Sequence, residues 1–393
     1  MSDTIAVKYG TLHSCDGEPR TNGTLLIEGG MVASLDTPSV PEGALRFEAA
    51  CVVPGLINAH AHLEASGEPD MTGLILLTTP TQRAYICAEN ARKALAAGVT
   101  TMRDLGGTER LAIDLRDAIN AGKLAGPTIV AAGRVVCMTG GHGWWIGREA
   151  DGPWDVRKAV REQRKDGADC IKFMATGGVL TKGSVPAIAQ LTEDEMRAGV
   201  EEAHNHGMRT AAHAIGALGI RNALRAGIDS IEHGHLLDDE AIALFHEHGA
   251  YLLPTLSAIA SIVDAGTEGR MPDWVLRKAL ELATNAIENL RKAYQAGVKI
   301  AGGSDAGTPY NPHELYWREV RLMHEQLGMT PREALYAATA SAGELLAVDR
   351  GRVRKGSPAD VLLLERDAGD RPDALSNPQV VIKNGAVAFD HRP

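Results

Sequence analysis

The sequence has few of the features that mark secreted, membrane or nucleic-acid-binding proteins. Its 393 residues include only five cysteines, Cys15, Cys51, Cys87, Cys137 and Cys170. They are scattered and form no Cys-x-x-Cys pair, which predicts reduced thiols in a cytoplasmic protein. No apolar stretch reaches the roughly 18 residues that a membrane helix needs. The first residues also lack the basic and apolar regions of a signal peptide.

Charge and aromatic content set further limits. The net charge is −10, and no basic patch or tail is visible, so we expect neither nucleic acid nor a membrane as a partner. Aromatic residues make up only 4% of the chain. The hydrophobic fraction of 44% and the charged fraction of 23% are ordinary for a globular protein. The length is enough for one large domain and a smaller one.

One local pattern recurs along the middle of the chain. A helix-like stretch ends in glycine, which tolerates the left-handed conformation past a helix end, and a short β-type run follows at once. Two capping boxes, Thr192 with Glu195 and Thr330 with Glu333, mark helix starts. Eight β-type runs alternate with helices, which predicts an α/β fold of the (β/α)8 TIM-barrel type. These runs lie at 51–58, 97–104, 127–133, 167–174, 207–213, 227–233, 249–255 and 297–305.

The two ends of the chain differ from the middle. Residues 1–50 and 350–393 both consist of short alternating strand-like runs. We therefore expect the ends to pair into one small β-sandwich domain beside the barrel. The predicted boundaries are 1–55 and 346–393 for this composite domain and 56–345 for the barrel.

Polar side chains cluster at the predicted carboxyl ends of the strands, where such barrels place their active sites. His60 and His62 end strand one, and residues i and i+2 of a strand point to the same side. Imidazoles and a carboxylate at one rim form a ligand set for Zn²⁺ or a similar ion. The other strands contribute Asp104, Lys172, His213, His233 and Asp305.

Two other His-x-His pairs, 204/206 and 246/248, fall at helix ends just before a glycine. In a helix, residues i and i+2 do not share a face. Both pairs are interpreted as solvated last-turn histidines that suit the helix dipole. Asp104 is interpreted as a structural carboxylate at a strand end.

These residues resemble the amidohydrolase superfamily, and the likeness covers nearly the whole chain. The finer likeness is to its imidazolonepropionase-like, Xaa-Pro dipeptidase-like branch. It rests on three motifs, Gly140-Gly-His-Gly, Ile171-Lys-Phe-Met-Ala-Thr-Gly-Gly and Ile231-Glu-His-Gly. Relatives there include prolidase-like, carboxypeptidase-like and aminoacylase-like enzymes, and some that hydrolyse toxins of the ochratoxin type. Relatives are commonly homo-oligomers, so a homo-oligomer is expected.

The resemblance implies a binuclear metal centre. His60, His62 and Asp305 would hold the first divalent ion, most simply zinc, and His213 and His233 the second. Lys172 would carry a carbamate derived from CO₂ and bridge the two ions. A lysine must be neutral to react with CO₂, and partial burial lowers its pKa.

The implied activity is cleavage of the amide bond of a dipeptide or an N-acyl amino acid. A metal-bridging hydroxide would attack the amide carbonyl. Asp305 would act as general base and then as general acid. His142 and His235 are candidates to stabilise the oxyanion, although close relatives often carry tyrosine at position 235.

A loop after strand three holds three of the five tryptophans. We expect Trp144 and Trp145 to wall an apolar or aromatic substrate pocket, under a glycine-rich lid. Arg148 is a candidate to bind a substrate carboxylate, and Tyr251 could reach the site from strand seven. The alternative is that this loop only anchors itself on the barrel or on another subunit.

The sequence leaves two other functions open. If Lys172 is only a salt-bridged or snorkelling lysine, the same histidines suit a mononuclear imidazolone or cyclic-amide hydrolase, or a deaminase. The second alternative is a non-catalytic barrel scaffold that has lost its metals.

Overall fold

The computed structural model describes residues 4–392. Its strands, in chain order, are β1 Thr4–Leu12, β2 Arg20–Glu28, β3 Met31–Ser34, β4 Leu45–Pro54, β5 Leu56–Ala61, β6 Val99–Asp104, β7 Thr128–Ala131, β8 Val135–Cys137, β9 Gly147–Glu149, β10 Cys170–Met174, β11 Arg209–Gly216, β12 Ser230–Leu236, β13 Tyr251–Leu253, β14 Lys299–Ile300, β15 Val361–Leu364, β16 Val380–Lys383 and β17 Ala386–Asp390.

The α-helices alternate with the middle strands. They are α1 Met71–Leu77, α2 Pro80–Ala96, α3 Leu111–Asn120, α4 Pro153–Asp166, α5 Glu193–Asn205, α6 Ala217–Arg225, α7 Asp239–His248, α8 Leu256–Thr267, α9 Asp273–Gln295, α10 Trp317–Leu327, α11 Pro331–Tyr336 and α12 Ala342–Leu346. Short 3-10 helices lie at Trp144–Ile146, His313–Leu315 and Pro372–Ser376, and a π-helical segment lies at Ala337–Ser341. Within residues 4–392, no helix combines the length and the apolar character needed to cross a membrane.

The middle of the chain is a (β/α)8 barrel, as predicted. Hydrogen-bonded neighbours run β5-β6-β7 in one group and β14-β13-β12-β11-β10-β8 in the other, all parallel. The backbone bond from Asp169 N to Ala131 O (2.8 Å) joins the two groups on one side. The bond from Asp305 N to His60 O (2.8 Å) closes the barrel on the other. The third barrel strand is split into β7 and β8, with Gly133 at φ 69° between them.

The first predicted strand, 51–58, needs correction. Residues 51–54 end strand β4, which pairs with β1 and β15 and not with the barrel. The barrel strand β5 begins only at Leu56. Gly55 stands between the two strands, and a Cβ there would collide with the side chain of Thr100. A continuous apolar run therefore concealed a change of sheet.

Both chain ends build the second sheet. Its seven strands follow the order β17-β16-β15-β4-β1-β2-β3, so amino-terminal and carboxyl-terminal strands meet where β15 pairs with β4. Alternating inward side chains give this sheet a core of its own, including Val7, Tyr9, Ile27 and Val361. The two capping boxes are also present, at the starts of α5 and α11.

Candidate metal centre

The carboxyl ends of three barrel strands bring the four predicted histidine ligands together. His60 lies in β5 and His62 just beyond it, His213 lies in β11, and His233 lies in β12. The ring centroids are 5.5 Å apart for His60 and His62, 5.3 Å for His60 and His233, and 4.6 Å for His213 and His233. All four side chains are buried, and they line one cavity with Lys172 and Asp305.

Among these residues, His60, His62 and Asp305 form the tightest group. Nε2 of His60 lies 3.3 Å from Oδ1 of Asp305, and Nε2 of His62 lies 3.2 Å from the same oxygen. Burial alone would raise the pKa of Asp305, but the two imidazoles outweigh it and lower that pKa. Burial would lower the pKa of His62, and the Asp305 carboxylate raises it instead. Two imidazoles and one carboxylate at this spacing can hold a divalent ion.

Lys172 faces the same group from strand β10. Its Nζ lies 3.5 Å from Nε2 of His60, and its side chain is almost completely buried. Burial lowers the pKa of Lys172 to about 8. A larger share of this amine is therefore neutral near pH 7 than in an exposed lysine.

Backbone carbonyls fix the proton position on two of the rings. Nδ1 of His62 donates to the carbonyl oxygen of Gly106 (2.8 Å), and Nε2 of His213 donates to that of Gly177 (2.8 Å). A carbonyl oxygen only accepts, so the bonded nitrogen carries the proton. The opposite nitrogen of each neutral ring, Nε2 of His62 and Nδ1 of His213, keeps its lone pair.

In the other two rings, those of His60 and His233, a side-chain oxygen faces the ring nitrogen Nδ1. Nδ1 of His60 lies 2.9 Å from Oε2 of Glu232. The hydroxyl of Thr255 donates to the carbonyl of Pro254 (2.8 Å), so it accepts from Nδ1 of His233 (2.7 Å). Nε2 of each ring is thus left with a lone pair. In its neutral form, each of the four predicted histidine ligands can keep its proton on the nitrogen that faces Gly106, Gly177, Glu232 or Thr255, which leaves the other nitrogen for a divalent metal ion.

The backbone is strained at three residues of the site. His233 has φ 74°, Asp305 has φ 57° and Thr255 has φ 49°, all in the left-handed region that favours glycine. Glu319 supports the last of them, because its carboxylate accepts from the N–H groups of Leu256 (2.9 Å) and Ser257 (2.7 Å). Such strain persists only where the surroundings impose it, and it is common at functional sites.

The interior of the barrel holds an ion pair that sequence reasoning missed. Arg103 and Glu232 are fully buried and lie 2.9 Å apart. Ser230 also donates to Glu232 (2.7 Å), and Arg103 donates to the carbonyl of Ala59 (2.7 Å). Burial would raise the pKa of Glu232, but Arg103, together with His60 and Lys172, outweighs burial and brings that pKa to about 2. The sequence offered one signal for this ion pair, because the acidic residue Glu232 stands directly before the predicted ligand His233.

The cavity above the ligands is mostly apolar. Among the residues that line it, Lys172 is the only lysine or arginine. Trp145 is buried and forms part of the wall, and its contact with a substrate stays a prediction. The remaining apolar wall is contributed mainly by α1, α8 and the segment after β10, with Met71, Ile146, Met174, Val179, Leu180, Ile215, Ala258, Ile259 and Ile262.

His142 lines the cavity next to the histidine cluster. Its ring centroid lies 4.4 Å from that of His213 and 6.0 Å from that of Trp145. Nδ1 lies 2.6 Å from Oγ1 of Thr181. Burial lowers the pKa of His142 to about 3, so the ring is neutral at ordinary pH. His142 is therefore a buried imidazole of the cavity lining next to His213, and its role as an oxyanion donor stays a prediction.

His235 also lines the cavity, but its hydrogen bond changes its predicted role. Nε2 lies 3.2 Å from the carbonyl oxygen of Pro254, so Nε2 carries the proton. Burial lowers the pKa of His235 to about 4, and in a neutral ring Nδ1 is then an acceptor. As it stands, His235 presents no N–H to an oxyanion, which corrects the sequence-based expectation.

Two predicted substrate contacts on the strand-three loop lie outside the cavity lining. Trp144 is 44% exposed and packs edge-on against Trp145, with ring centroids 6.1 Å apart. Arg148 is bound bidentately by Asp155 (2.8 and 2.9 Å) and also by Glu162 (2.9 Å). Its guanidinium is therefore committed to α4 and is not positioned to bind a substrate carboxylate.

Tyr251 lies at the wrong end of its strand for the predicted role. It is the first residue of β13, so it faces the amino-terminal end of the barrel. Its hydroxyl donates to Glu344 (3.3 Å), and the ammonium of Lys299 lies 5.2 Å from its ring centre. Tyr251 is a packing residue of that face.

The remaining histidine pairs and Asp104 agree with their structural interpretation. His206 caps the end of α5 and His248 is the last residue of α7. Asp104 accepts from the backbone N–H groups of Leu63 (2.8 Å) and Gly106 (3.2 Å). It thereby ties the ends of β5 and β6 together.

A second group of metal-binding residue types lies in the terminal sheet. It consists of His13, Cys51 and Asp367. Oδ1 of Asp367 already accepts from Nε2 of His13 (2.6 Å) and from the N–H of Gly369 (2.7 Å). Burial raises the pKa of the Cys51 thiol to about 12. The group satisfies its own hydrogen bonds and ties a turn to the sheet.

Comparisons with known proteins agree with this geometry. The model of the amidohydrolase family matches residues 51–388. An ochratoxinase of Aspergillus niger is 32% identical over 409 residues, covering 95% of this chain and 83% of the relative. The crystal structure of a Xaa-Pro dipeptidase with methionine bound in the active site is 32% identical, with a TM-score of 0.89, covering 98% of this chain and 100% of the other.

A third relative extends the likeness to a complex. The crystal structure of a prolidase complexed with N-methylphosphonate-L-proline is 30% identical, with a TM-score of 0.89, covering 98% of this chain and 99% of the other. The family and the dipeptidase-like branch predicted from the motifs are thereby confirmed, and divalent metal use follows from the superfamily. The chain belongs to the amidohydrolase family and is a hydrolase of amide or peptide bonds.

Proposed function

We propose that the chain is a binuclear metal-dependent amidohydrolase that cleaves a dipeptide or an N-acyl amino acid carrying an apolar side chain. The observation that carries this proposal is the set of four buried imidazoles that line one cavity with Lys172. Three of them have one ring nitrogen hydrogen-bonded to an oxygen, and Nδ1 of His60 lies 2.9 Å from the Glu232 carboxylate. Nε2 of His60 lies 3.5 Å from the amine of Lys172.

The residues divide into two ligand groups. His60, His62 and Asp305 would hold one divalent ion, and His213 and His233 the other. Lys172, as a carbamate, would contribute one oxygen to each. Zinc suits a set rich in imidazole. Two ions held by these residues would lower the pKa of a bound water molecule and polarise the substrate carbonyl.

Two side chains would handle the proton and the charge of the reaction. The lowered pKa of Asp305 keeps it ionised, so it can take a proton from the attacking water and pass it to the leaving amine. His142 would donate from Nε2 to the oxygen that becomes negative in the transition state. His235, an acceptor here, would serve as cavity wall.

The cavity wall indicates the substrate class. Its apolar side chains favour a substrate with an aliphatic or aromatic group, and no arginine within the lining offers a bidentate carboxylate site. The names of the relatives, an ochratoxinase and a Xaa-Pro dipeptidase with bound methionine, also support an amide with an apolar group. The enzyme's partner is thus a small molecule, and homo-oligomer formation stays a prediction.

A panel of amides tests the proposal. Zinc-loaded protein is assayed with the N-acetyl derivatives of methionine, phenylalanine, glutamate and lysine and with the corresponding Xaa-Pro dipeptides. We expect kcat/KM for the apolar members to exceed that for the charged ones about 10-fold or more. Equal values would contradict the apolar substrate class. Failure to hydrolyse any amide would contradict the amidohydrolase function itself.

One observation favours a mononuclear alternative. His60, His62 and Asp305 offer ligand atoms that all lie within 4.8 Å of one another, and His213 and His233 are not part of that group. A single ion held by these three would suit an imidazolone or cyclic-amide hydrolase or a deaminase. The number of bound metal ions per chain separates the two proposals.

A further inference from the structure

Two histidines of the site each have a threonine hydroxyl oxygen, Oγ1, within hydrogen-bond distance of the ring nitrogen Nδ1. Oγ1 of Thr255 lies 2.7 Å from Nδ1 of His233, and Oγ1 of Thr181 lies 2.6 Å from Nδ1 of His142. All four side chains are buried. Because a threonine hydroxyl can donate or accept, the direction of each bond depends on where the hydroxyl proton goes.

For Thr255 the direction is settled by a neighbour. Its hydroxyl donates to the carbonyl oxygen of Pro254 at 2.8 Å. The hydroxyl must then accept from Nδ1–H of His233. His233 is left with an unprotonated Nε2, as a metal ligand requires.

Thr181 differs because its hydroxyl has no second acceptor. Within residues 4–392, Nδ1 of His142 is the one hydrogen-bond partner of Oγ1 of Thr181. A buried hydroxyl proton without an acceptor is costly. The hydroxyl therefore donates to Nδ1 of His142, and the single proton of a neutral ring must lie on Nε2.

We propose that Thr181 is a positioning residue that makes His142 a hydrogen-bond donor, in contrast to Thr255, which makes His233 a metal ligand. Nε2 of His142 has no hydrogen-bond partner in the part of the chain that the structure describes, and the residue lines the cavity. Its N–H is thus free for the substrate oxygen. The catalytic meaning of this arrangement rests on the proposed function.

Other contacts hold this pair in place. The ammonium of Lys278 on α9 donates to the carbonyl oxygen of Thr181 (3.0 Å). The backbone N–H of His142 donates to Oε1 of Gln190 (2.9 Å). Gly178 lies directly against the His142 ring, where a Cβ would collide with it. The segment after β10 therefore fixes both the position and the proton of His142.

Nuclear magnetic resonance tests the proton position without any substrate. Long-range ¹H–¹⁵N spectra of zinc-loaded protein carrying ¹⁵N-histidine distinguish the two tautomers, and the His142→Gln spectrum identifies the His142 signals. We expect His142 as the Nε2–H tautomer and His233 as the Nδ1–H tautomer. Finding His142 as the Nδ1–H tautomer would overturn the proposal.

Enzyme kinetics and metal binding test whether the proton position of His142 matters for catalysis. N-acetyl-L-methionine is the substrate in the kinetic assays. Thr181→Val should lower kcat by about 10- to 100-fold, because a misplaced donor loses part of what an oxyanion donor supplies. KM and zinc affinity should stay near the wild-type values. Thr181→Ser, which restores the hydroxyl, should recover most of kcat.

Thr255→Val is the matched control, because it removes the same hydroxyl from the other histidine. It should weaken zinc affinity, which Thr181→Val should not. Wild-type activity in Thr181→Val, or an equal loss of zinc in both variants, would overturn the proposal. An inactive wild-type protein would instead contradict the proposed function, while the spectra still report the tautomers.

Discussion

Oε2 of Glu232 lies 2.9 Å from Nδ1 of His60, inside the barrel and out of contact with solvent. The same carboxylate pairs with Arg103. Outer partners of this kind orient a ligating histidine and raise its basicity. We expect Glu232→Gln to weaken zinc affinity about 10- to 100-fold, measured by competition with a chromogenic chelator.

Ser230→Ala provides the control for this variant. It removes one hydrogen bond to Glu232 but keeps the charge and the contact with His60. Zinc affinity should therefore remain close to that of the wild type, even if the free energy of unfolding falls. Unchanged zinc affinity in Glu232→Gln would show that this carboxylate serves only to neutralise Arg103.

Two neighbouring tryptophans make a matched pair. Trp145 is buried in the cavity wall, whereas Trp144 is 44% exposed. Trp145→Ala should raise KM for apolar amides roughly 10-fold, because it removes a large part of the apolar contact. Trp144→Ala should change KM much less. Equal effects of the two variants on KM would argue against a wall formed by Trp145.

Substitution of Arg148 tests whether this residue binds a substrate carboxylate, the role that the sequence predicted and the structure does not support. Its guanidinium is bound by Asp155 and Glu162, away from the cavity lining. We expect Arg148→Ala to leave KM unchanged for substrates with and without a free carboxylate. A rise in KM confined to carboxylate-bearing substrates, in steady-state assays, would restore the original role.

The partly buried Asp229, immediately before β12, makes the stability of the fold depend on acid pH. Its carboxylate accepts from His204 (2.8 Å), Arg209 (2.6 Å) and the N–H of Thr210 (2.8 Å). Burial would raise its pKa, but these partners outweigh burial and lower it to about 2. A carboxylate with a depressed folded-state pKa stabilises the fold above its unfolded pKa of about 4, and that stability is lost as the pH falls toward 2.

Asp229→Asn should therefore lower the free energy of unfolding at pH 7 by about 2 kcal/mol. The difference from the wild type should shrink between about pH 4 and pH 2. Urea unfolding at several pH values measures both. Glu281→Gln, at an exposed carboxylate on α9, is the control and should behave like the wild type. A pH-independent difference would show that Asp229 acts through packing alone.

The barrel and its ligands could be predicted from the sequence because their signals are local. A glycine that ends a helix and a buried run that follows it specify each β-α unit, and the strand ends then specify which histidines meet. His60 and His62 were identifiable in this way, and so was Lys172. The boundary at Gly55 was not, because an apolar strand reads the same whichever sheet it enters.

The contacts around the ligands could not be predicted, since they join residues far apart in the chain. Thr181 reaches His142 across the loop after β10, and Arg103 reaches Glu232 across the barrel. No periodicity marks such pairs. The error at Tyr251 has a different cause, because the predicted run 249–255 did not show that the strand itself would begin only at Tyr251.

Metal content is the most direct test of the binuclear centre. Apoprotein is reconstituted with zinc and bicarbonate, and bound zinc is measured by elemental analysis in the wild type, in Lys172→Ala and in Lys158→Ala, which alters an exposed lysine on α4. We predict about two ions per chain in the wild type and in Lys158→Ala, and about one in Lys172→Ala. One ion per chain in the wild type, or two in Lys172→Ala, would contradict the account.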